Sequence, residues 1–299
     1  MKRKILLLGM TLFLLTFNSC NKDNQGPAMT AEEASINAKM DVSNDDVSNI
    51  VEGQLTANDG ISGRSVQSVA LLPSCAIVTK TYTNASGTVY TPTPGSGGIT
   101  AGTNIKIIVD FGTTGCIQDN GNILKGQIVI TFAYAPNATS HIINYQFVDF
   151  YPNAIKIAGN KSFTREMKST TANPNIHPVV TMEMDMTATF PDGRVFTRVG
   201  TRTREIIEGY NTPSSWTDDV YQVTGNWPTT FPNTGTQTCT ITTPLIIKLS
   251  CTGTGSLITK GIVNSQRNSH TATLDYGNGE CDNIAVVTIN GVAHTITIR

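Results

Sequence analysis

Hydrophobic and polar positions divide the chain into three regimes. Residues 5–17 form one apolar run. Between Thr30 and Leu55 the apolar residues Ile36, Met40, Val47, Ile50, Val51 and Leu55 recur at helical intervals, which places them on one face of an α-helix. Thr30 and Glu33 make a capping box at its start. The stripe is thin, and the acidic stretch Asp41 to Asp46 predicts a break into two short helices. Two roles suit this leader, residues 31–60: a helix docked over the mouth or edge of the next domain, or a solvated acidic stalk.

From residue 70 onward the period changes to two. Ile105, Ile107, Val109 and Phe111 alternate with Lys106 and Asp110, and Ile128, Ile130, Phe132 and Tyr134 form a second such run. Ile143, Tyr145 and Phe147 alternate with Asn144 and Gln146. Similar segments fall at 154–168, 176–190, 194–208, 219–226, 237–250, 256–263, 270–276, 284–290 and 293–298, separated by Gly, Asn, Asp and Pro. Connections this short require antiparallel neighbours. Residues 70–299 are therefore expected to be one all-β domain, an antiparallel meander of about ten to twelve strands forming an open barrel or a two-sheet sandwich.

The first regime gives an address. Lys2, Arg3 and Lys4 precede an apolar run too short to span a bilayer, and Phe17-Asn18-Ser19-Cys20 closes it. This layout resembles the lipobox of bacterial lipoproteins, with Phe17 and Asn18 as departures of the kind seen in Bacteroidetes. The resemblance implies a signal peptide over residues 1–19, acylation of Cys20 (diacylglycerol on sulfur, a further chain such as palmitate on the amine), and a tether over residues 20–30. Two or more acyl chains anchor stably where one does not. The resemblance thus implies an outer-membrane lipoprotein of the cell envelope. Lys22-Asp23-Asn24 supplies only part of that group's surface-export signal, so periplasmic and surface faces both stay open.

Without its three leading basic residues, the mature chain keeps 18 of 21 basic against 22 acidic residues, a net charge of −4. Residues 31–60 hold seven acids against Lys39 alone, and the rest is near neutral. That balance argues against nucleic acid as a partner. Charged residues make up 14%, well under the usual ~25%, as in many secreted β proteins.

Five cysteines remain after Cys20, in an oxidising compartment that favours disulfides. Val109-Asp110-Phe111-Gly112 with Cys116 lines up with Leu274-Asp275-Tyr276-Gly277 with Cys281, and an earlier cysteine precedes each, Cys75 and Cys251. Two related corners, stapled Cys75–Cys116 and Cys251–Cys281, account for the pattern and leave Cys239 over. Asp275, Asn278, Glu280 and Asp282 offer oxygens to calcium, but not at the spacing of the twelve-residue calcium loop. A Gly/Asn turn with Asp capping its backbone explains the segment as well. No cofactor is otherwise implied.

No nucleophile elbow, zinc-protease helix, phosphate loop or dinucleotide fingerprint occurs. Glu183/Asp185, Glu205/Glu208 and Asp218/Asp219 are the carboxylate pairs that glycoside hydrolysis would need. Arg194, Arg198, Arg202 and Arg204 share one face of a strand by even spacing. They make either a basic stripe for an anionic ligand or a solvated or salt-bridged sheet face. The turn sets their surroundings: an Asp192-Gly193 loop puts Glu183 and Asp185 on the same face, whereas a loop including Pro191 puts Met182, Met184 and Met186 there and turns the arginines inward. Tyr210, Trp216, Asp218, Asp219 and Trp227 gather both tryptophans near acids and amides, either to stack on a sugar or to plug the end of the β body.

With Thr201–Arg204, Glu208-Gly209-Tyr210, Asp218-Asp219-Val220-Tyr221 and Cys281-Asp282-Asn283 added to these features, residues 70–299 look like a group of Bacteroidetes lipoproteins of unassigned activity. The resemblance implies class and address. The expectation is a lipid-anchored, non-catalytic binding or scaffolding module for a glycan or another envelope component. The alternatives are a half-barrel acyl-chain carrier and a glycan-cleaving enzyme.

Overall fold

The computed structural model describes residues 27–58, 72–93, 98–118, 121–212 and 215–298. The signal segment and Cys20 lie outside the described residues. One helix, α1 (Ala31–Asn58), precedes fifteen strands: β1 (Ile77–Thr83), β2 (Val89–Tyr90), β3 (Asn104–Asp110), β4 (Cys116–Ile117), β5 (Ile123–Ala133), β6 (Ser140–Pro152), β7 (Lys156–Lys168), β8 (His177–Thr189), β9 (Val195–Glu208), β10 (Val220–Phe231), β11 (Gly235–Lys248), β12 (Ile258–Arg267), β13 (His270–Asn278), β14 (Ile284–Ile289) and β15 (Val292–Thr297).

Every strand pair is antiparallel, and neighbours in space are nearly always neighbours in sequence. The order runs β15 back to β5, then β3, β1 and β2, with β4 folded onto β5. No pairing joins the two edges among the described residues. The all-β meander is thus one open, unclosed sheet rather than two stacked sheets, with fifteen strands in place of the ten to twelve expected. Two of the extra strands, β2 and β4, are two residues long, and β1 has an exposed, non-alternating pattern that carries no period-two signal. β10 runs through Pro228 to Phe231 because its pairing to β9 is interrupted between Asn226 and Thr229. A residue without an N–H is tolerated where no ladder bond is needed.

The sheet curls around α1. Of the 28 helix residues, 20 are buried, and their polar partners come from β1 (Lys80), the entry to β5 (Asn122), β7 (Lys161), β9 (Arg198), β12 (Arg267) and β13 (Tyr276). The leader is the filling of a half-pipe, neither a stalk nor a cap on its rim. The capping box forms as expected, with Glu33 N–H donating to Thr30 Oγ1 at 3.1 Å and Thr30 N–H to Glu33 Oε2 at 3.2 Å. The helix runs unbroken through Asp41–Asp46, because partners on the sheet hold those side chains that would otherwise compete for the backbone.

Both cysteine corners form. Cys75–Cys116 and Cys251–Cys281 are disulfides, and Cys239 is a free, buried thiol. In each corner the aspartate caps the turn: Asp110 Oδ1 accepts from Gly112 N at 2.8 Å, and Asp275 Oδ1 from Gly277 N at 2.9 Å. The two bridges span separations of 41 and 30 residues, worth roughly 3–4 kcal/mol each on the chain-entropy relation. Replacing Cys251 and Cys281 together by Ala should lower urea-unfolding stability by about that amount. A change under about 1 kcal/mol would show that the second bridge does not constrain the unfolded chain.

Candidate functional site

The arginine stripe faces inward. Thr189 pairs with Val195 and Met186 with Arg198, so Pro191-Asp192-Gly193 forms the loop and Met182, Met184 and Met186 share the arginines' face. Arg198, Arg202 and Arg204 are buried, and only Arg194, at the end, reaches solvent. Their counterions are on this chain's own helix. Arg194 binds Glu32 at 2.6 Å, Arg198 binds Asp41 at 2.5 Å and Asn37 Oδ1 at 2.9 Å, and Arg204 binds Glu52 at 3.0 Å and Asn49. Arg202 joins Arg198 on Asp41 Oδ1. From Glu32 to Glu52 the helix rises about 30 Å, and from Arg194 to Arg204 the strand covers about 33 Å. The near-equal lengths let α1 and β9 run side by side in the same direction as one charge ladder.

Aromatic faces complete the ladder. Trp227, fully enclosed, lies with its ring centroid 3.9 Å from the Arg202 guanidinium and 5.0 Å from Arg198, while Arg204 lies 3.8 Å over Tyr221. Trp227 is therefore an interior plate for cations. Burial would raise the Asp41 carboxyl, but Arg202, Arg198 and the Tyr276 hydroxyl at 2.8 Å outweigh it and hold it below the usual range. Asp45, 3.9 Å from Arg202, is less well served: burial pushes it up to about 6 despite the arginines. Lys161 on β7 donates to Asn44, and burial, with Arg202 and Arg198 nearby, pushes it down to about 7. Asp45 Oδ2, Arg202 Nε and Asn49 Nδ2 have no hydrogen-bond partner among the described residues.

The other aromatic and acidic candidates separate. Trp216 packs on the core from the β9–β10 loop, and Asp219 is buried, within 3.4 Å of the Tyr221 hydroxyl. Tyr210 and Asp218 border a 190 Å³ hollow with Asn173 and Glu208. Asp218 accepts from Thr212 Oγ1 at 2.6 Å. Pro213 lies outside the described residues. Glu205 is held by Thr170, Gln222 and His177 Nε2 at 3.1 Å. No group of three or more His, Cys, Asp or Glu able to hold a metal occurs among the described residues.

Glu183 and Asp185 instead face outward into a trough of about 680 Å³. Two rows of cross-strand neighbours line it. One runs Thr131, Asn144, Ser162, Glu183, Thr201, and the other Val129, Gln146, Asn160, Asp185, Val199. Each row crosses five strands, about 19 Å at the usual spacing. Neither carboxylate has an ion-pair or hydrogen-bond partner among the described residues. Lys161 also borders the trough, but its ammonium donates to Asn44 on the opposite face. The trough thus combines amides, hydroxyls and two free carboxylates with the apolar side chains of Val129 and Val199 at the ends of one row.

Sequence reasoning singled out the two acids but missed the amides beside them. The signal was present as polar residues at alternate positions of three successive strands. It also missed the acceptors on α1: Asn37, Asp41, Asp45 and Asn49 recur every four residues, the same interval as a helix face.

No family model, curated protein or solved structure matches the chain. No helix among the described residues is long and apolar enough to cross a membrane.

Proposed function

We propose that this is a lipid-anchored, non-catalytic envelope protein that binds a glycan along the outer trough, and that the glycan is neutral or carries amino sugars. The observation that carries the reading is the double row of amides, hydroxyls and unpaired carboxylates, flanked by Val129 and Val199, in a 680 Å³ trough. Sugar hydroxyls donate and accept at once. Carboxylates accept, and amides do both, so this lining pairs with a polyol along its length. Two carboxylates with no cation beside them repel an acidic ligand. The arginines that could have drawn an acidic glycan are engaged inside by α1.

Two observations favour binding over the alternatives. The half-pipe that could hold an acyl chain is filled by α1, and the apolar hollow beside Val42, Ile155, Phe190 and Ile298 measures 260 Å³. Glu183 and Asp185 stand side by side on one strand, which suits hydrogen bonding along a chain better than attack from two sides of a bond. The lipoprotein address rests on the resemblance around Cys20 and on the disulfides of an exported protein.

Calorimetric titration with a chitosan hexamer and its N-acetylated, neutral counterpart tests the reading. Asp185→Ala with Glu183→Ala should weaken the charged hexamer at least tenfold, and Asn160→Ala should weaken both probes, all with an unchanged melting temperature. Binding of neither hexamer, or affinity indifferent to all three substitutions, would remove the trough as the site.

A further inference from the structure

The end of the half-pipe that holds the start of α1 carries features of a lipid-facing surface. Glu32 and Glu33 lie against Arg194, Thr234 and Arg267, so the β6–β7, β8–β9, β10–β11, β12–β13 and β14–β15 turns gather there. Ile117 and Ile123, 67% and 42% exposed, are direct cross-strand neighbours at that end. Lys125, two residues along on the same face, pairs with Tyr151. Its ammonium lies 4.7 Å from that ring's centroid, and Lys156 lies 5.6 Å from it with an exposed ion pair to Asp149 at 2.9 Å. At the far end Val89 faces Thr83, Ile142 faces Thr164 and Ile284 faces Thr297, each a polar cross-strand partner, and Ile176, 67% exposed, stands alone rather than in a pair of aliphatics.

We infer that the patch of Ile117, Ile123, Lys125, Tyr151 and Lys156 rests on a bilayer containing anionic lipid, which fixes the half-pipe's orientation with its α1 end down. This inference rests on the acylation of Cys20. Ten residues separate that cysteine from α1 and span at most about 35 Å. The helix alone is about 42 Å long, so the tether is too short for the body to stand upright on its opposite end. Isoleucines enter the acyl boundary, a tyrosine suits the headgroup level, and lysines reach the phosphates along their apolar stems. Each basic group near an anionic surface adds attraction that salt screens.

The full-length acylated protein, reconstituted in phosphatidylglycerol-containing vesicles with brominated acyl chains, tests the orientation. Trp227 is buried and Trp216 sits in the β9–β10 loop at the far end, so added tryptophans report locally. Ile117→Trp should lose most of its added emission, whereas Ile142→Trp should keep it. Lys125→Glu with Lys156→Glu should reduce that quenching in the anionic vesicles and leave it unchanged in phosphatidylcholine ones. Equal quenching at both positions, or at neither, in protein that co-floats with the vesicles would overturn the orientation. Protein that fails to float would overturn the anchor and the orientation with it.

Discussion

Asp41→Asn is expected to cost about 3–5 kcal/mol of unfolding stability, although it changes one atom and keeps the side chain's shape. The carboxylate is fully buried, and Arg198, Arg202 and Tyr276 all donate to it. An amide in its place presents a donor to two guanidinium groups, leaving Arg198 without its counterion and Arg202 with only Asp45 at 3.9 Å. Breaking such a pair is costly, whereas replacing the whole of it with apolar groups is often close to neutral. A triple variant, Asp41→Leu with Arg198→Met and Arg202→Met, should therefore recover most of the loss. Urea unfolding at pH 7 measures both. A cost below about 1 kcal/mol for Asp41→Asn would mean that the ladder contributes nothing as a charge pair. A triple variant as unstable as the single one would locate the ladder's contribution in its hydrogen bonds rather than in charge balance.

The same cluster explains what could be read from the residues and what could not. Strands β7 to β14 were legible to within a few residues, except for the far end of β10, because each has one face toward the interior and alternation follows from that; β15, almost wholly exposed, was legible from its position after the last turn. Their antiparallel meander followed from short connections, and the two staples followed from the repeated Asp-aromatic-Gly corner. The role of α1 was hidden by the way it is buried. A helix resting on a surface shows one apolar stripe. A helix enclosed by a sheet shows a polar stripe as well wherever the sheet supplies matching charges. Asn37, Asp41, Asp45 and Asn49 read as a solvated face until Arg198, Arg202 and Arg204 are known to point inward, and that depended on whether Pro191 belonged to a turn. One residue of turn length reverses the face of every side chain on a strand. The trough was half visible for a related reason: its acids drew notice as charges, whereas Asn144, Gln146 and Asn160 are ordinary residues whose alignment exists only across strands.

Stability should pass through a minimum between about pH 6 and 7, because three buried groups titrate in separate windows. Asp41 is held below its ordinary value of 3.8, so its contribution is present above that value and is lost as pH falls through its lower, folded pKa. Asp45 is raised from 3.8 to about 6. The folded state binds its proton more tightly, so this contribution is full below about pH 4 and lost as pH rises through about 6. Lys161 is lowered from 10.5 to about 7, and the unfolded chain holds its proton more tightly between those values. Its contribution is therefore full above about 10.5 and lost as pH falls to about 7. Lys161→Met should raise stability at pH 7 by on the order of a few kcal/mol and flatten the rise toward alkaline pH. Asp45→Asn should flatten the slope between pH 4 and 6 and leave the alkaline limb intact. Urea-unfolding curves of the parent and the two variants, taken from pH 4 to 10, measure these slopes. Parallel profiles for the parent and Lys161→Met would mean that the buried lysine keeps its charge throughout, and the half-pipe would then need a second anion near Asn44 to hold it.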